Sequence, residues 1–477
     1  MKHSLLIAAG MVLTSPPVGA QPRGVDLRDQ ASAAMRRAAE FYRAQVAVRG
    51  GYVYYYSLDL KKRLGEGVAS PTEIWVQPPG TPTVGMAYLA AYRATGERFY
   101  LEAARETAAA LIYGQLKSGG WTNVIDFDPR GKRVALYRNG KGRGRNYSSL
   151  DDGITQHALR FLMRMDEALK FKDEEVHEAA ETALPALLAA QFPNGGFPQV
   201  WSGPVAAQPV LKATYPDDDW RTENRIKEYW NLYTLNDGLA ETVADTLLEA
   251  EVIYAKTEQA KRCRDAAKKL GDFLILAQMP EPQPAWAQQY DYEMRPVWAR
   301  KFEPAAITGG ESQGAIETLL KIHERTGEAK YLAPIPQAIE YLKASRLADG
   351  RLARFYELRT NKPLYMTRRY ELTYDDRDVP THYGWKVTSR LDQLERRYQE
   401  LKARRRAASR APDPTRLESK VREIIHQLDD EGRWISRDDG ERLVGQPKFA
   451  RGEPYLSSAV FARNLETLSA YLEAVTR

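Results

Sequence analysis

Leu89-Ala90-Ala91-Tyr92-Arg93-Ala94-Thr95-Gly96, LAAYRATG, decides the fold because its surroundings recur. It leads into Glu97 to Leu116, rich in Ala and Leu at helical spacing, and then into Lys117-Ser118-Gly119-Gly120-Trp121. The same order returns at Leu159–Leu169, Glu175–Ala190 and Asn194-Gly195-Gly196-Phe197, and at Leu247–Thr257, Ala260–Ala277 and Trp286. It returns again at Leu319–Gly327, Tyr331–Leu342 and Asp349-Gly350-Arg351. An early unit ends at Gly50-Gly51-Tyr52, and a late one, Leu417–Leu428, at Gly432-Arg433-Trp434. Each unit reads as two helices, a short link, and a turn beside an aromatic residue, with a period of roughly 70 to 90 residues. Helix pairs that repeat bury their apolar faces against neighbouring pairs. With long polar insertions between pairs, the expected fold is all-α: an α/α toroid, an incomplete barrel whose irregular loops gather into a cleft at one end. An open helical solenoid is the alternative the same repeat allows.

Composition narrows the function. The chain has 477 residues, 43% hydrophobic and 28% charged, which excludes collagen-like and wholly disordered classes. One cysteine, Cys263, excludes an internal disulfide and a thiolate zinc cluster, and the six histidines show no HExxH spacing. The net charge of +6 is local: twelve Lys/Arg face five Asp/Glu between Lys386 and Arg422, leaving the rest near neutral. No nucleic-acid partner is expected. Arg404-Arg405-Arg406 belong to a helical stretch read as solvated, part of an added helix pair over residues 387 to 428. At the other end, the apolar run Leu5–Leu13 and the small-residue end Val18-Gly19-Ala20 resemble a secretory signal. The expected organisation is therefore a signal peptide over 1–20, a toroid over 21–385, and additional helices over 386–477 that pack on or complete it. A secreted or periplasmic monomer without a membrane anchor is expected, since the apolar run is too short for a span. Export weakens readings that need ATP or NAD, and no phosphate-binding glycine motif is present.

The loops carry the chemistry. Leu150-Asp151-Asp152-Gly153 precedes one apolar helix and Leu235-Asn236-Asp237-Gly238 the next. Carboxylates there can simply cap helices. They can equally converge in one cleft, where oxygen-only ligands favour calcium over zinc. Arginines follow in Trp298-Ala299-Arg300-Lys301-Phe302-Glu303-Pro304, in Ala353-Arg354-Phe355-Tyr356-Glu357 and at Arg368. Their guanidinium forks suit carboxylates, and the neighbouring aromatic faces suit sugar rings. Together they point to an anionic polysaccharide.

The order of these blocks resembles the pectate lyases of polysaccharide lyase family 10. The likeness runs over roughly 85–385 and includes Asn194-Gly195-Gly196-Phe197-Pro198-Gln199, Thr308-Gly309-Gly310-Glu311-Ser312 and Thr360-Asn361-Lys362-Pro363. It implies an α/α toroid that cleaves polygalacturonate by calcium-dependent β-elimination. It also implies roles: Asp151 and Asp237 for the metal, Arg300 as catalytic base, Arg354 and Arg368 for substrate carboxylates, with Asp152, Asn236 and Trp298 lining the substrate. Asp152 stands where the family has Asn, Gly153 where it has an acidic residue, and Phe197 where it has Trp. The segment after Trp385 has no family counterpart. A glycoside hydrolase using Asp151 and Asp237 as acid and base and a non-catalytic polyuronate binder are the rival readings.

Overall fold

The computed structural model describes residues 26–222, 226–403, 414–440 and 449–476. The segment 1–20 expected to be a signal peptide, and Arg404, Arg405 and Arg406, lie outside the described residues. Twelve α-helices run through the described residues: α1 Leu27–Phe41, α2 Thr81–Thr95, α3 Arg98–Tyr113, α4 Ile154–Ala168, α5 Glu174–Ala189 and α6 Leu239–Ile253. They continue as α7 Glu258–Ala277, α8 Gly309–Thr326, α9 Ile335–Ala344, α10 Leu391–Lys402, α11 Pro414–His426 and α12 Ser458–Thr476.

Short links make the helix pairs. Gly96 ends α2 in the left-handed region (φ +72°), and its N–H reaches Tyr92 O at 2.7 Å, so α3 starts two residues later. Asp173 and Thr257 cap α5 and α7, accepting from Val176 N and Ala260 N at 3.2 Å each. The outer helices α3, α5, α9 and α11 then end in the glycine turn seen in the sequence, while α7 ends in a proline-rich turn. Leu116, Phe192, Leu347 and Asp429 each accept an N–H from three residues on and donate to the carbonyl four residues on. This tight turn needs a left-handed residue, supplied by Gly119, Gly195, Gly350 and Gly432. The aromatic residue after the turn has its own task. Trp121, Trp286 and Trp434 each donate the indole N–H to a carbonyl near the end of the preceding outer helix, at 2.8, 2.7 and 2.9 Å. They satisfy acceptors that a helix C-terminus otherwise leaves unmet.

Helices α10, α8, α6, α4, α2 and α12 pack side by side in that order. Outside them, α3, α5 and α7 flank α2, α4 and α6, and α1 and α11 back onto α12. Among the described residues α10 and α12 share no comparable packing, so the ring is an incomplete α/α toroid. Inner helices α2, α4, α6 and α8 are buried over more than half of their residues. Gly85 on α2 shows how tightly: a Cβ there would lie 2.5 Å from Phe161 on α4.

Short antiparallel ladders rim one end of the ring, each linking a loop to the next. Ser148–Ser149 pairs with Val200–Trp201, Tyr233–Thr234 with Gln289–Tyr290, and Ile307–Thr308 with Phe355–Tyr356. Tyr55–Ser57 pairs with Pro454–Ser457, which joins the first loop to the last. The inner helices all begin at this rim, so their positive dipole ends face the loops.

Candidate active site

The turns before α4 and α6 are built alike. In each, the first residue after leucine is ordinary, the second is left-handed and a left-handed glycine caps the helix. Asp152 has φ +46° and Gly153 +72°, while Asp237 has φ +54° and Gly238 +69°. Leu150 N and Leu235 N are anchored alike, to Gln199 O and Gln288 O at 2.8 Å. No carboxylate caps either helix, since the cap residues are the glycines and carry no side-chain cap. Capping therefore does not explain these aspartates. Holding a non-glycine residue in the left-handed region costs about 1 kcal/mol or more, a cost that gathers at functional sites.

The two turns bring Asp151, Asp152 and Asp237 together, with one oxygen of each within 4.8 Å of the others. Arg300 closes the group from the loop between α7 and α8. Its Nη2 lies 3.3 Å from both oxygens of Asp151 and 3.6 Å from Asp237 Oδ2. Its Nη1 is 3.6 Å from Glu303 Oε1, and its backbone N–H donates to Glu303 Oε2 at 3.1 Å. The Arg300–Glu303 pair thus holds the loop, but Arg300 is shared with the aspartates as well. On the far side, Arg354 Nη2 is 3.7 Å from Asp237 Oδ1 and 3.7 Å from Glu311 Oε1. Its guanidinium rests 4.2 Å over the ring of Tyr383, whose hydroxyl donates to Glu303 Oε1 at 3.0 Å.

Charge governs this group. Lost hydration, then Asp151 and Glu66, push the Asp152 pKa up to about 6, although its side chain opens onto the cleft. Asp237 lies deeper, and burial followed by Asp152 drives its pKa well above the carboxylate range. Burial works against the charge of Arg300, but Glu303, Asp151 and Asp237 together outweigh it and hold the guanidinium above the ordinary arginine value. The carboxylates outnumber the two guanidiniums.

That surplus and the donor set fit a hard cation. The ligand atoms are all oxygen. Nearby acceptors are unfilled: Asn236 Oδ1 and Glu311 Oε2 are buried without a hydrogen-bond partner. Asn236 Nδ2 donates to Asp237 Oδ2 at 2.7 Å, which places its amide at the edge of the group. A buried donor is also unmet, Arg354 Nε.

Other expected residues sit elsewhere. Trp298 is 5% exposed and donates its indole N–H to Lys301 O at 3.3 Å, so it packs under the Arg300 turn. Arg368 pairs with Asp378 at 3.4 Å, with both side chains about two-thirds exposed, and touches none of Asp151, Asp152, Asp237 or Arg300 among the described residues. Three residues of the site had no role in the sequence reading. Glu311 stood unassigned within the Thr308–Ser312 block, Tyr383 carried no signal, and Gln77, which donates to Asp152 Oδ2 at 2.8 Å, lies outside every block.

Fold and site define a helical toroid with an acid–arginine cleft at its loop end. The model of the pectic acid lyase family matches residues 115–352, and the chain belongs to this family of polysaccharide lyases. None of the curated proteins compared matches it. Among solved structures, it is similar to the family 10 polysaccharide lyase of Cellvibrio cellulosa, at 18% identity and TM-score 0.47, covering 66% of this chain and 95% of that one. A mutant of that lyase, solved with a trigalacturonic acid, matches at TM-score 0.46 and 18% identity, covering 67% of this chain and 99% of that one. Cellobiose 2-epimerase from Spirochaeta thermophila matches at 14% identity and TM-score 0.48, covering 94% of this chain and 98% of that one.

Proposed function

We propose that the protein is an exported pectate lyase that cleaves polygalacturonate by calcium-dependent β-elimination. The observation that carries this reading is Arg300 wedged between Asp151 and Asp237 on two equivalent turns, with Arg354 and its unmet donor opposite. β-Elimination takes the C5 proton beside a uronate carboxylate, forms the C4–C5 double bond and breaks the bond from C4 to its oxygen, which leaves with the next sugar and takes a proton from water. Arg354 grips the uronate carboxylate through its fork and stabilises negative charge growing there. Arg300 faces C5 and takes the proton, which requires it to be neutral in the reacting complex. The carboxylates around Arg300 oppose that neutral form. Asp151, Asp152 and Asp237 would hold calcium, which when bound neutralises uronate charge and offsets the same aspartates that retain the Arg300 proton. Glu303 fixes the Arg300 turn, and Trp298 fills the space beneath it.

The test is spectroscopic. Elimination leaves a double bond conjugated to a carboxylate, and polygalacturonate should gain near-ultraviolet absorbance on incubation with the protein. A chelator should abolish the gain and added calcium restore it. Reducing ends without absorbance would establish hydrolysis instead, and full activity in excess chelator would remove the metal from the reading.

A further inference from the structure

A second charged site lies outside the carboxylate–arginine centre. The loop 128–145 carries seven Lys/Arg and one Asp. It walls a cavity of about 780 Å³ lined by Arg130, Lys132, Arg133, Arg143, Arg145 and Trp75. Arg133 is tied down: it donates to Val68 O at 2.6 Å, lies 3.5 Å from Glu73 Oε1 and sits 5.2 Å over the Trp75 ring. Lys132, Arg143 and Arg145 are exposed and meet no carboxylate among the described residues. Like charges crowded on one loop repel, and that cost is recovered when an anion enters.

Buried donors add to the basic wall. Trp75 is 2% exposed, yet its indole N–H has no partner. Next to it lies a cavity of about 350 Å³ walled by Tyr54, Glu66, Gln77 and Asp152. There the hydroxyl of Tyr54, 6% exposed, is also unpartnered. Buried polar groups without partners are uncommon in native proteins and ask for a ligand or water. Glu66 lines both cavities, and Gln77 Nε2 donates to Glu66 at 2.9 Å and to Asp152 at 2.8 Å. Glu66 and Gln77 therefore stand between the basic loop and the acidic centre. Tyr54, Glu66, Trp75 and Gln77 all precede the family match, which begins at residue 115.

We propose that this basic cavity binds distal uronate units of the polysaccharide chain whose bond is broken at Arg300; the proposal rests on the polyuronate reading above. Guanidiniums there meet the carboxylates of successive units. The site adds affinity for long chains and none for short ones.

The experiment compares trigalacturonate with polygalacturonate on the full chain. The variant is Lys132→Gln/Arg143→Gln/Arg145→Gln. The control is Arg28→Gln/Arg396→Gln/Lys402→Gln, which removes as many exposed charges elsewhere. Cleavage is followed by absorbance, and oligomer binding by calorimetry on the same proteins. The cavity variant should raise KM for the polymer about tenfold or more, weaken long-oligomer binding alike, and leave trimer kinetics within about twofold of the unmodified protein, a tenfold change being 1.4 kcal/mol. An unchanged polymer KM overturns the site, as does an equal rise in the control or an equal loss on the trimer. If the unmodified protein binds long uronates through this loop but produces no absorbance, the lyase reading fails and the site stands.

Discussion

The turns Asp151-Asp152-Gly153 and Asn236-Asp237-Gly238 share one backbone and differ in one side-chain atom that matters. Their second residues, Asp152 and Asp237, are equivalent in position and conformation, and both have raised pKa values. Their first residues part company. Asp151 brings a carboxylate to Arg300, whereas Asn236 brings an amide that donates to Asp237. A repeat thus sets two aspartates face to face, and a single acid–amide difference gives Arg300 its closer partner on the first turn, at 3.3 Å from Asp151 against 3.6 Å from Asp237 on the second. Place comes from the fold and role from the side chain.

The strongest way to break this comparison is to remove the arginine that both turns face. Arg300→Lys should keep a cation near Asp151 and preserve folding, yet lower kcat at least about 10²-fold with little change in KM, as loss of a proton-transfer contact requires. Near-normal kcat for Arg300→Lys across alkaline pH would assign Arg300 to the loop ion pair alone. With the unmodified protein, kcat should rise toward alkaline pH, because Arg300 must lose its proton to act.

Exchanging the first residues sharpens the comparison. Asp151→Asn makes the first turn read Leu-Asn-Asp-Gly, like the second. Calcium affinity should fall at least about tenfold, a loss typical of metal-site changes, and activity should fall with it. The reverse change, Asn236→Asp, removes the donor to Asp237 and adds a buried like charge. It should destabilise the calcium-free protein by about 1–3 kcal/mol, with calcium recovering the loss. Equal calcium affinity in all three proteins, measured by calorimetry, would show that the cluster is not the metal site.

Protonation offers a gentler probe of the same pair. Metal binding needs the charged carboxylate, so protons compete with calcium. Asp152 titrates at about 6. The Asp152 contribution to calcium affinity should be flat above about pH 7 and fall as pH drops through 6, by up to about tenfold per unit for one released proton. Asp152→Asn should remove that slope near pH 6. Since Asp237 is also raised, a residual dependence at higher pH would belong to it.

How much of this was legible follows from how local each signal is. The turn glycines 119, 195, 350 and 432 and the tryptophans that follow three of the outer helices mark each repeat, because a left-handed turn and an unmet carbonyl both demand particular residues. The two Asp-Gly turns were legible for the same reason, although capping and convergence looked alike until the glycines proved to be the caps. The pairing of Tyr55–Ser57 with Pro454–Ser457, which seats α12 beside α2, joins residues some four hundred apart and has no local signature. The basic loop 128–145 was hidden by arithmetic: the excess between Lys386 and Arg422 accounted for the whole net charge, so a similar excess balanced by scattered acids went unseen. Tyr383 and Gln77 are ordinary residues whose role comes only from what folds beside them.

The smallest expected effect separates two arginines that the sequence treated alike. Arg354 is 16% exposed, lies between Asp237 and Glu311, and keeps a buried donor unmet. Its fork is already set in the cleft, so little conformational freedom is lost on binding a carboxylate. Arg354→Ala should therefore raise KM and lower kcat together, since the contact exists in both ground and transition states and strengthens in the latter. Arg368 is 67% exposed and paired with Asp378. A surface pair of this kind contributes about 0–1 kcal/mol, and its guanidinium must leave water and its partner before it can touch a substrate. Arg368→Ala should shift KM for short oligomers by less than about twofold, within what a surface pair is worth. A rise in KM matching that of Arg354→Ala would instead mean that the turn after strand Pro363–Met366 swings its arginine into the cleft when substrate arrives. The Asp378→Ala variant decides between the two: freeing Arg368 from its partner should tighten substrate binding only if such a swing occurs.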